Sequence, residues 1–391
     1  MKVLYINSVC DFGSTGKIVR QLSTIDKVDP LIVYGRKKAK EETNVKKISS
    51  PLKTVISMTN TILFNCELLN NKNNSQKLIR IIDDFKPDII HIHNIHGYYI
   101  NYDVLFKYLN NTKIKIIWTF HDCWPITGYC CHFEFERCDK YKTNCKKCPK
   151  SFTYPFSIFK QNINQHYFIK KELFSNINNL TIVTPSEWLN NVIKQSFLKN
   201  KDIVTINNGI CLDKFKQSKE KNKQFTILFV SNIWTNTKGK NDIEKIIKLI
   251  NAKIKVLIIG DFNDKKNKYL SNRCEMIKRT NNIEELVEFY SSSHLFINPT
   301  YEDTFPTVNI ESLSCGTPVI TYNTGGSPEI VNDKTGKVID KGDYKSMAET
   351  INNEFNHYTF DSKNCVDRSK KYSENKMKEK YYLLYKNVLK N

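Results

Sequence analysis

Short apolar runs alternate with longer stretches of helical character along the first half of the chain. The runs are Val3 to Ile6, Leu31 to Tyr34, Ile89 to Ile92, Ile114 to Phe120 and Leu180 to Thr184. That rhythm predicts strands of a parallel sheet connected by helices, an α/β arrangement. After Asn207-Asn208-Gly209 it starts again, with Ile227 to Val230, Ile254 to Ile259, Leu295 to Asn298 and Val319 to Tyr322. Two Rossmann-like domains are therefore expected, over residues 1–206 and 207–365. The boundary falls in the turn and the polar run Lys214 to Gln224 near residues 203–222. In the remainder, 366–391, the spacing of Tyr372, Met377, Tyr381, Leu384 and Val388 suits one apolar helix face. This terminal helix is expected to pack back on the N-terminal domain.

Composition adds partners and compartment to this picture. A chain of 391 residues exceeds what one hydrophobic core usually holds, and 40% hydrophobic content excludes a largely disordered chain. Lys and Arg outnumber Asp and Glu by 60 to 40, and the net charge of +20 favours nucleotides, nucleic acid or anionic membrane surfaces as partners. The opening Lys2-Val3-Leu4-Tyr5-Ile6 is too short for a signal-peptide core and lacks a small-residue cleavage site. No stretch approaches 18 uninterrupted apolar residues. The expectation is a cytoplasmic protein, soluble or peripheral at the inner face of the membrane. Twelve cysteines diluted over such a chain are expected as reduced thiols.

In open α/β sheets ligands bind at the carboxyl ends of the strands, so residues just after strands carry the chemistry. The run from Pro299 through Asp303, Phe305, Thr307, Val308 and Glu311 to Gly316 leaves a strand, turns and enters a helix. Carboxylates there can accept vicinal sugar hydroxyls, and the amides of Thr307 and Val308 at the helix start suit a phosphate. Asn323-Thr-Gly325-Gly326 permits a tight turn and close approach of backbone to ligand. Upstream, Asn232 to Gly239 forms a third loop, with Lys238 a point charge for a diphosphate.

These three loops resemble those of glycosyltransferase family 4, retaining enzymes of the GT-B fold, and the resemblance covers nearly the whole chain. It implies two facing Rossmann-like domains with a cleft between them and a nucleoside-diphosphate sugar donor, with UDP- or GDP-sugar favoured. Glu311 is then assigned to the ribose hydroxyls, Asp303 to the transferred sugar and Lys238 to the leaving diphosphate. The acceptor is a glycan or lipid-linked saccharide in cell-surface polysaccharide or lipopolysaccharide assembly. Here Asp303, next to Glu302, stands where the family carries glutamate, and Asn232 stands where it carries arginine.

On the N-terminal side, Phe12-Gly13-Ser14-Thr15-Gly16-Lys17 follows the first strand. It has two residues between its glycines where Walker A needs four, which excludes a P-loop. It still suits a donor phosphate or an acceptor sugar. His91, His93 and His96 follow Asp88, and His91 and His93 share a strand face as metal ligands would. The resembled family carries a similar histidine-rich strand end without a metal. Trp118 to Gly128 ends another strand in a polar turn, and His121 matches the family's active-site histidine, a hydrogen-bond partner of the donor sugar. Asp122 suits either that site or a structural cap.

Cys130-Cys131-x6-Cys138-x6-Cys145-x2-Cys148 closes on a zinc-type chelate bite. A structural Zn²⁺ on Cys130, Cys138, Cys145 and Cys148, disulfides and free thiols all remain open. No cofactor is required for catalysis, because Lys238 and helix N-termini can stabilise the leaving group. Between Lys150 and Phe174, Phe152, Tyr154, Phe156, Phe159, Tyr167 and Phe168 mix with Lys160, Lys170 and Lys171. Such a mixture suits a membrane interface or a cover over the sheet. Competing readings are an epimerase of the same shape, a donor-binding scaffold without turnover, and a basic zinc-bearing nucleic-acid-binding protein. In the last, carboxylates at the mouth of the sheet would repel phosphate backbones, so nucleic acid is not expected as a partner.

Overall fold

β-Branched and aromatic runs flanked by polar turns become strands whose alternate residues enter two different cores. In the computed structural model, which describes residues 1–40, 42–64, 68, 70–150, 162–262 and 268–390, seven strands form one sheet and six a second. The first contains β1 (Lys2–Val9), β2 (Asp29–Arg36), β3 (Val45–Lys47), β4 (Ile89–Ile92), β5 (Lys115–Thr119), β6 (Leu180–Thr184) and β7 (Asp202–Thr205). Its order is β3-β2-β1-β4-β5-β6-β7, and every pairing is parallel. The second contains β8 (Thr226–Ile233), β9 (Lys255–Asp261), β10 (Glu275–Ile277), β11 (Leu295–Asn298), β12 (Val319–Tyr322) and β13 (Gly336–Ile339). Its order is β10-β9-β8-β11-β12-β13, again all parallel.

Contacts divide the chain into one unit of residues 1–207 with 378–391 and another of residues 208–377. In the second unit, Ile227 and Phe229 of β8 enter one core while Leu228 between them enters the other. That sheet is therefore covered on both faces. In the first unit, Leu4 and Ile6 of β1 join the large core that also holds Trp118, Phe106 and Phe174. Each order reverses direction once, between β1 and β4 in the first sheet and between β8 and β11 in the second. Those are the switch points at which a doubly wound sheet opens a crevice beyond its carboxyl ends.

The terminal helix Glu374–Lys390 buries Met377, Tyr381 and Tyr385, an i, i+4 stripe. Leu384 and Val388, expected on its apolar face, are only half-buried. Within the first unit, the Tyr385 hydroxyl lies 2.7 Å from His91 Nδ1 and that of Tyr381 lies 2.9 Å from Thr119 Oγ1. No helix among the described residues is long and apolar enough to cross a membrane.

Candidate functional site

In the second unit, three loops leave the carboxyl ends of β8, β11 and β12 and are laced together by their backbones. Gly239 takes φ +82, and a Cβ there would lie 2.2 Å from the Pro299 oxygen, so only glycine lets the first loop seat on the second. The Tyr301 amide donates to Thr237 O at 2.8 Å, and Thr324 Oγ1 donates to Tyr301 O at 2.8 Å. Below them the buried Asp242 accepts from the Tyr301 hydroxyl (2.5 Å) and the Tyr322 hydroxyl (2.9 Å). Loops fixed by buried charge-assisted hydrogen bonds hold side chains with little freedom.

On this frame Lys238 Nζ donates to Asp303 Oδ2 at 2.8 Å and to Glu302 O at 3.2 Å. Asp303 Oδ1 accepts from the Phe305 amide at 3.2 Å. The two side chains of the ion pair are 37% and 25% exposed. A pair that open is worth only about 0–1 kcal/mol, so an incoming diphosphate can recruit Lys238 cheaply. The helix Thr307–Ser314 starts after Pro306, which offers no side-chain cap, beside this pair in the sequence. Glu311 is its fifth residue, half-buried, and accepts from the Tyr290 hydroxyl at 3.3 Å. Asn309 Nδ2 and Ser327 Oγ are buried without hydrogen-bond partners.

The remaining expected donor residues divide. Gly325 (φ +50) and Gly326 form the buried turn into the helix Ser327–Ile330. Asn232 is exposed at the end of β8, beyond a register shift between Val230 and Ile233. Phe305 departs from expectation: its ring is 3% exposed and packs edge-on against Tyr372 at 5.6 Å. Its side chain belongs to the core, and its amide is what it offers at the mouth. Glu302 is buried, leaving Asp303 as the more open carboxylate.

At the first unit's switch point, β1 runs into the loop before the helix Gly13–Leu22. Arg20 grips Asp11 with two bonds of 2.7 and 3.2 Å. Gly13, at φ +65, is open on its Cβ side, whereas a Cβ on the buried Gly16 would press on Asp11 N at 3.3 Å and Val9 O at 3.4 Å. Gly16 therefore serves helix-on-strand packing, and only Gly13 faces open space.

Beyond β4 and β5 the histidines form a chain. His91 is saturated, with Nδ1 on Tyr385 and Nε2 on Thr119 at 2.8 Å. Burial holds its pKa well below the ordinary value, so it is a neutral structural ring rather than a metal ligand. His93 Nδ1 lies 2.9 Å from His121 Nε2, the rings are stacked, and His93 Nε2 is buried without a partner. Burial lowers the His121 pKa to about 4, against the opposing pull of Asp122. His121 is thus a neutral imidazole at pH 7. Asp122 accepts from Trp124 N and pairs with His96 Nε2, each at 2.9 Å. Burial resists its ionisation, but His96, His132 and the Trp124 amide together hold its pKa at about 2. Among the described residues, His96, Asp122 and Cys131 bring their ligand atoms within 4.8 Å of one another. The pattern of alternate residues singled out His91 and His93 instead, because it cannot see pairing across strands.

Cys130, Cys138 and Cys145 are free thiols, so no disulfide joins the four spaced cysteines to one another. Cys130, Cys138, Cys145 and Cys148 line one cavity. Of the aromatic and basic segment, Phe152, Tyr154, Phe156, Phe159 and Lys160 lie outside the described residues. Within the helix Ile163–Ser175, Tyr167 and Lys170 are each 1% exposed. Lys170 Nζ donates to Trp124 O (2.9 Å) and Thr127 O (3.1 Å) and sits 3.3 Å from the Trp124 ring centroid. Lys170 is therefore a core cation, not a membrane contact, whereas Phe168 stays 48% exposed.

Family models match the chain in two adjoining stretches. Residues 31–214 match the model described as Glycosyltransferase Family 4, and residues 212–375 match Glycosyl transferases group 1. The chain is 30% identical over 193 residues to the capsular polysaccharide biosynthesis glycosyltransferase CapM of Staphylococcus aureus, covering 44% of this chain and 50% of that one. It is 23% identical over 349 residues to WcaC of Escherichia coli, described as a colanic acid biosynthesis glycosyl transferase, covering 83% and 82%. The crystal structure of Anabaena HepE in complex with UDP superposes with a TM-score of 0.70 at 12% identity, covering 99% of this chain and all of that one. The fold is GT-B, and the chain is a glycosyltransferase in which a family 4 domain is followed by a group 1 domain.

Proposed function

We propose that this glycosyltransferase moves a sugar, with retention of configuration, from a nucleoside-diphosphate sugar to a glycan or lipid-linked acceptor in cell-surface polysaccharide or lipopolysaccharide assembly. The observation that carries the donor assignment is the Lys238–Asp303 pair at the second sheet's switch point, beside an uncapped helix start. When a diphosphate arrives, Lys238 exchanges Asp303 for a phosphate oxygen, which frees Asp303 Oδ2 for a sugar hydroxyl. The amides of Thr307 and Val308 add dipolar stabilisation to the same anion. Glu311 takes the ribose hydroxyls while Tyr290 steadies its other side. Lys238 and the two amides gain strength as charge builds on the leaving diphosphate, and the two carboxylates hold sugar hydroxyls without having to remove a proton.

His121, neutral at pH 7, suits hydrogen bonding to the transferred sugar and is a poor proton donor. UDP is the favoured nucleotide, because Anabaena HepE was crystallised with it. Staphylococcal CapM and the colanic acid protein support the surface-polysaccharide setting.

The test is slow hydrolysis of UDP-sugars in the absence of acceptor, followed by proton NMR of the released sugar. Initial release with the donor's anomeric configuration supports retention; the opposite anomer contradicts it. Donor binding with no release in the presence of surface-glycan acceptors would favour a scaffold instead.

A further inference from the structure

The 23 residues from Gly128 to Lys150 contain one short 3₁₀ turn, Lys140–Lys142, as their regular structure. So long a segment with so few ladder hydrogen bonds ordinarily needs a staple. Four spaced cysteines, Cys130, Cys138, Cys145 and Cys148, line one cavity of about 20 Å³, walled otherwise mainly by Tyr129, Phe133, Tyr141 and Ile163. That volume admits a single water-sized guest. A water would need two to four good polar partners, and sulfurs are weak ones. A thiophilic ion is the better match.

We propose that the four cysteines bind one structural Zn²⁺, releasing four thiol protons to solvent and giving a closed tetrathiolate centre that ties the two ends of this segment together. The Gly128 amide already donates to Cys145 Sγ at 3.2 Å, the direction that stabilises a metal-bound thiolate. Gly128 must be glycine for this approach, since a Cβ would meet Ile163 O at 2.3 Å. In the two-residue spacer between Cys145 and Cys148, Lys147 adopts φ +49, which closes the turn of the chelate. Lys140 on the cavity wall and Lys146, Lys147 and Lys150 in sequence offset the centre's two negative charges.

His96, Asp122 and Cys131 form a rival set. There the imidazole and carboxylate already satisfy each other at 2.9 Å, and an ion would have to break that bond. The cysteine sulfurs, no three of which lie within 4.8 Å of one another, would have to close in on the ion, but they break no ion pair to do so. The site fills all four coordination positions and leaves none for substrate, so it adds a structural element independent of the transfer chemistry.

Metal analysis of the purified full chain is expected to find one zinc per chain, lost from the Cys145→Ser/Cys148→Ser variant and retained in His96→Ala. If the cysteine variant fails to fold, cobalt substitution of the wild type decides. Thiolate-to-cobalt charge transfer with strong tetrahedral d–d bands supports the tetrathiolate, and their absence overturns it. A chain that carries no zinc and takes up no cobalt, or one that loses its metal in His96→Ala alone, also overturns the proposal.

Discussion

The first sheet's switch region is ruled by rings and hydroxyls: His91, His93, His121, Thr119, Tyr381 and Tyr385 form a buried chain held neutral by desolvation. At the second sheet's switch point a lysine, an aspartate and a glutamate stand half-exposed, and the ion pair among them is weak. The winding rule is the same, since both sheets are parallel with one reversal. The chemistry differs because burial decides what each mouth can carry. The first mouth keeps its histidine chain neutral and ties the nearby carboxylates Asp11 and Asp122 to Arg20 and His96, whereas the second keeps a lysine ready for an anion. One region is built to orient and the other to compensate charge.

That contrast is breakable. Lys238→Ala should have the largest effect, a fall of about 10²–10³ in kcat, the usual consequence of deleting one group that stabilises developing negative charge. Steady-state kinetics measure it, and melting temperature should barely change, because the pair contributes little to stability. Glu311→Ala comes next. Loss of hydrogen bonds to a charged group costs about 1.5–3 kcal/mol, so isothermal titration should show donor affinity weakened by roughly 10–100-fold.

His91→Leu should act on the fold instead. It takes one partner from each of the Tyr385 and Thr119 hydroxyls, which keep Tyr5 and Tyr381, at about 0.5–1.5 kcal/mol for each hydrogen bond lost, read from urea unfolding. An unchanged midpoint would mean that the ring chain is not a supporting element.

The smallest effect is a pH dependence. His121 titrates at about 4 when folded against the ordinary 6.5, so between these pH values the unfolded chain binds a proton that the native chain does not. Its contribution is present above pH 6.5 and is lost as pH falls towards 4. His91 and His93 act in the same direction, while Asp122, at about 2, stays ionised throughout. The urea midpoint should drop between pH 7 and 5, and His121→Phe should flatten part of that drop.

Central strands were legible in the sequence because a strand flanked on both sides and covered on both faces must be almost wholly apolar, as Ile227 to Val230 is and as Ile89 to Ile92 is apart from the fully hydrogen-bonded His91. The strands that escaped, β3, β7, β10 and β13, are all sheet edges. Val45–Lys47 and Asp202–Thr205 have no fully buried residue, so their sequences look like loops. The Lys238, Asp303 and Glu311 loops could be read because they follow strands directly. Tyr385 could not be read as His91's partner, since nearly 300 residues separate them (|i−j| = 294), though its i, i+4 spacing from Tyr381 was available. Lys170 misled for a related reason: a lysine among aromatics signals an interface unless carbonyls wait in the core to receive it, as those of Trp124 and Thr127 do.

The most direct test of the account is thermal shift of the full chain against UDP-, GDP-, ADP- and dTDP-sugars, run in parallel on Glu311→Ala. A ligand that binds only the folded state raises the melting temperature according to its occupancy. The account predicts that one sugar nucleotide, most simply a UDP-sugar, stabilises the wild type and that Glu311→Ala abolishes the shift. No shift with any of them on folded protein, or an equal shift in the variant, would contradict the assignment of the second sheet's mouth as the donor site.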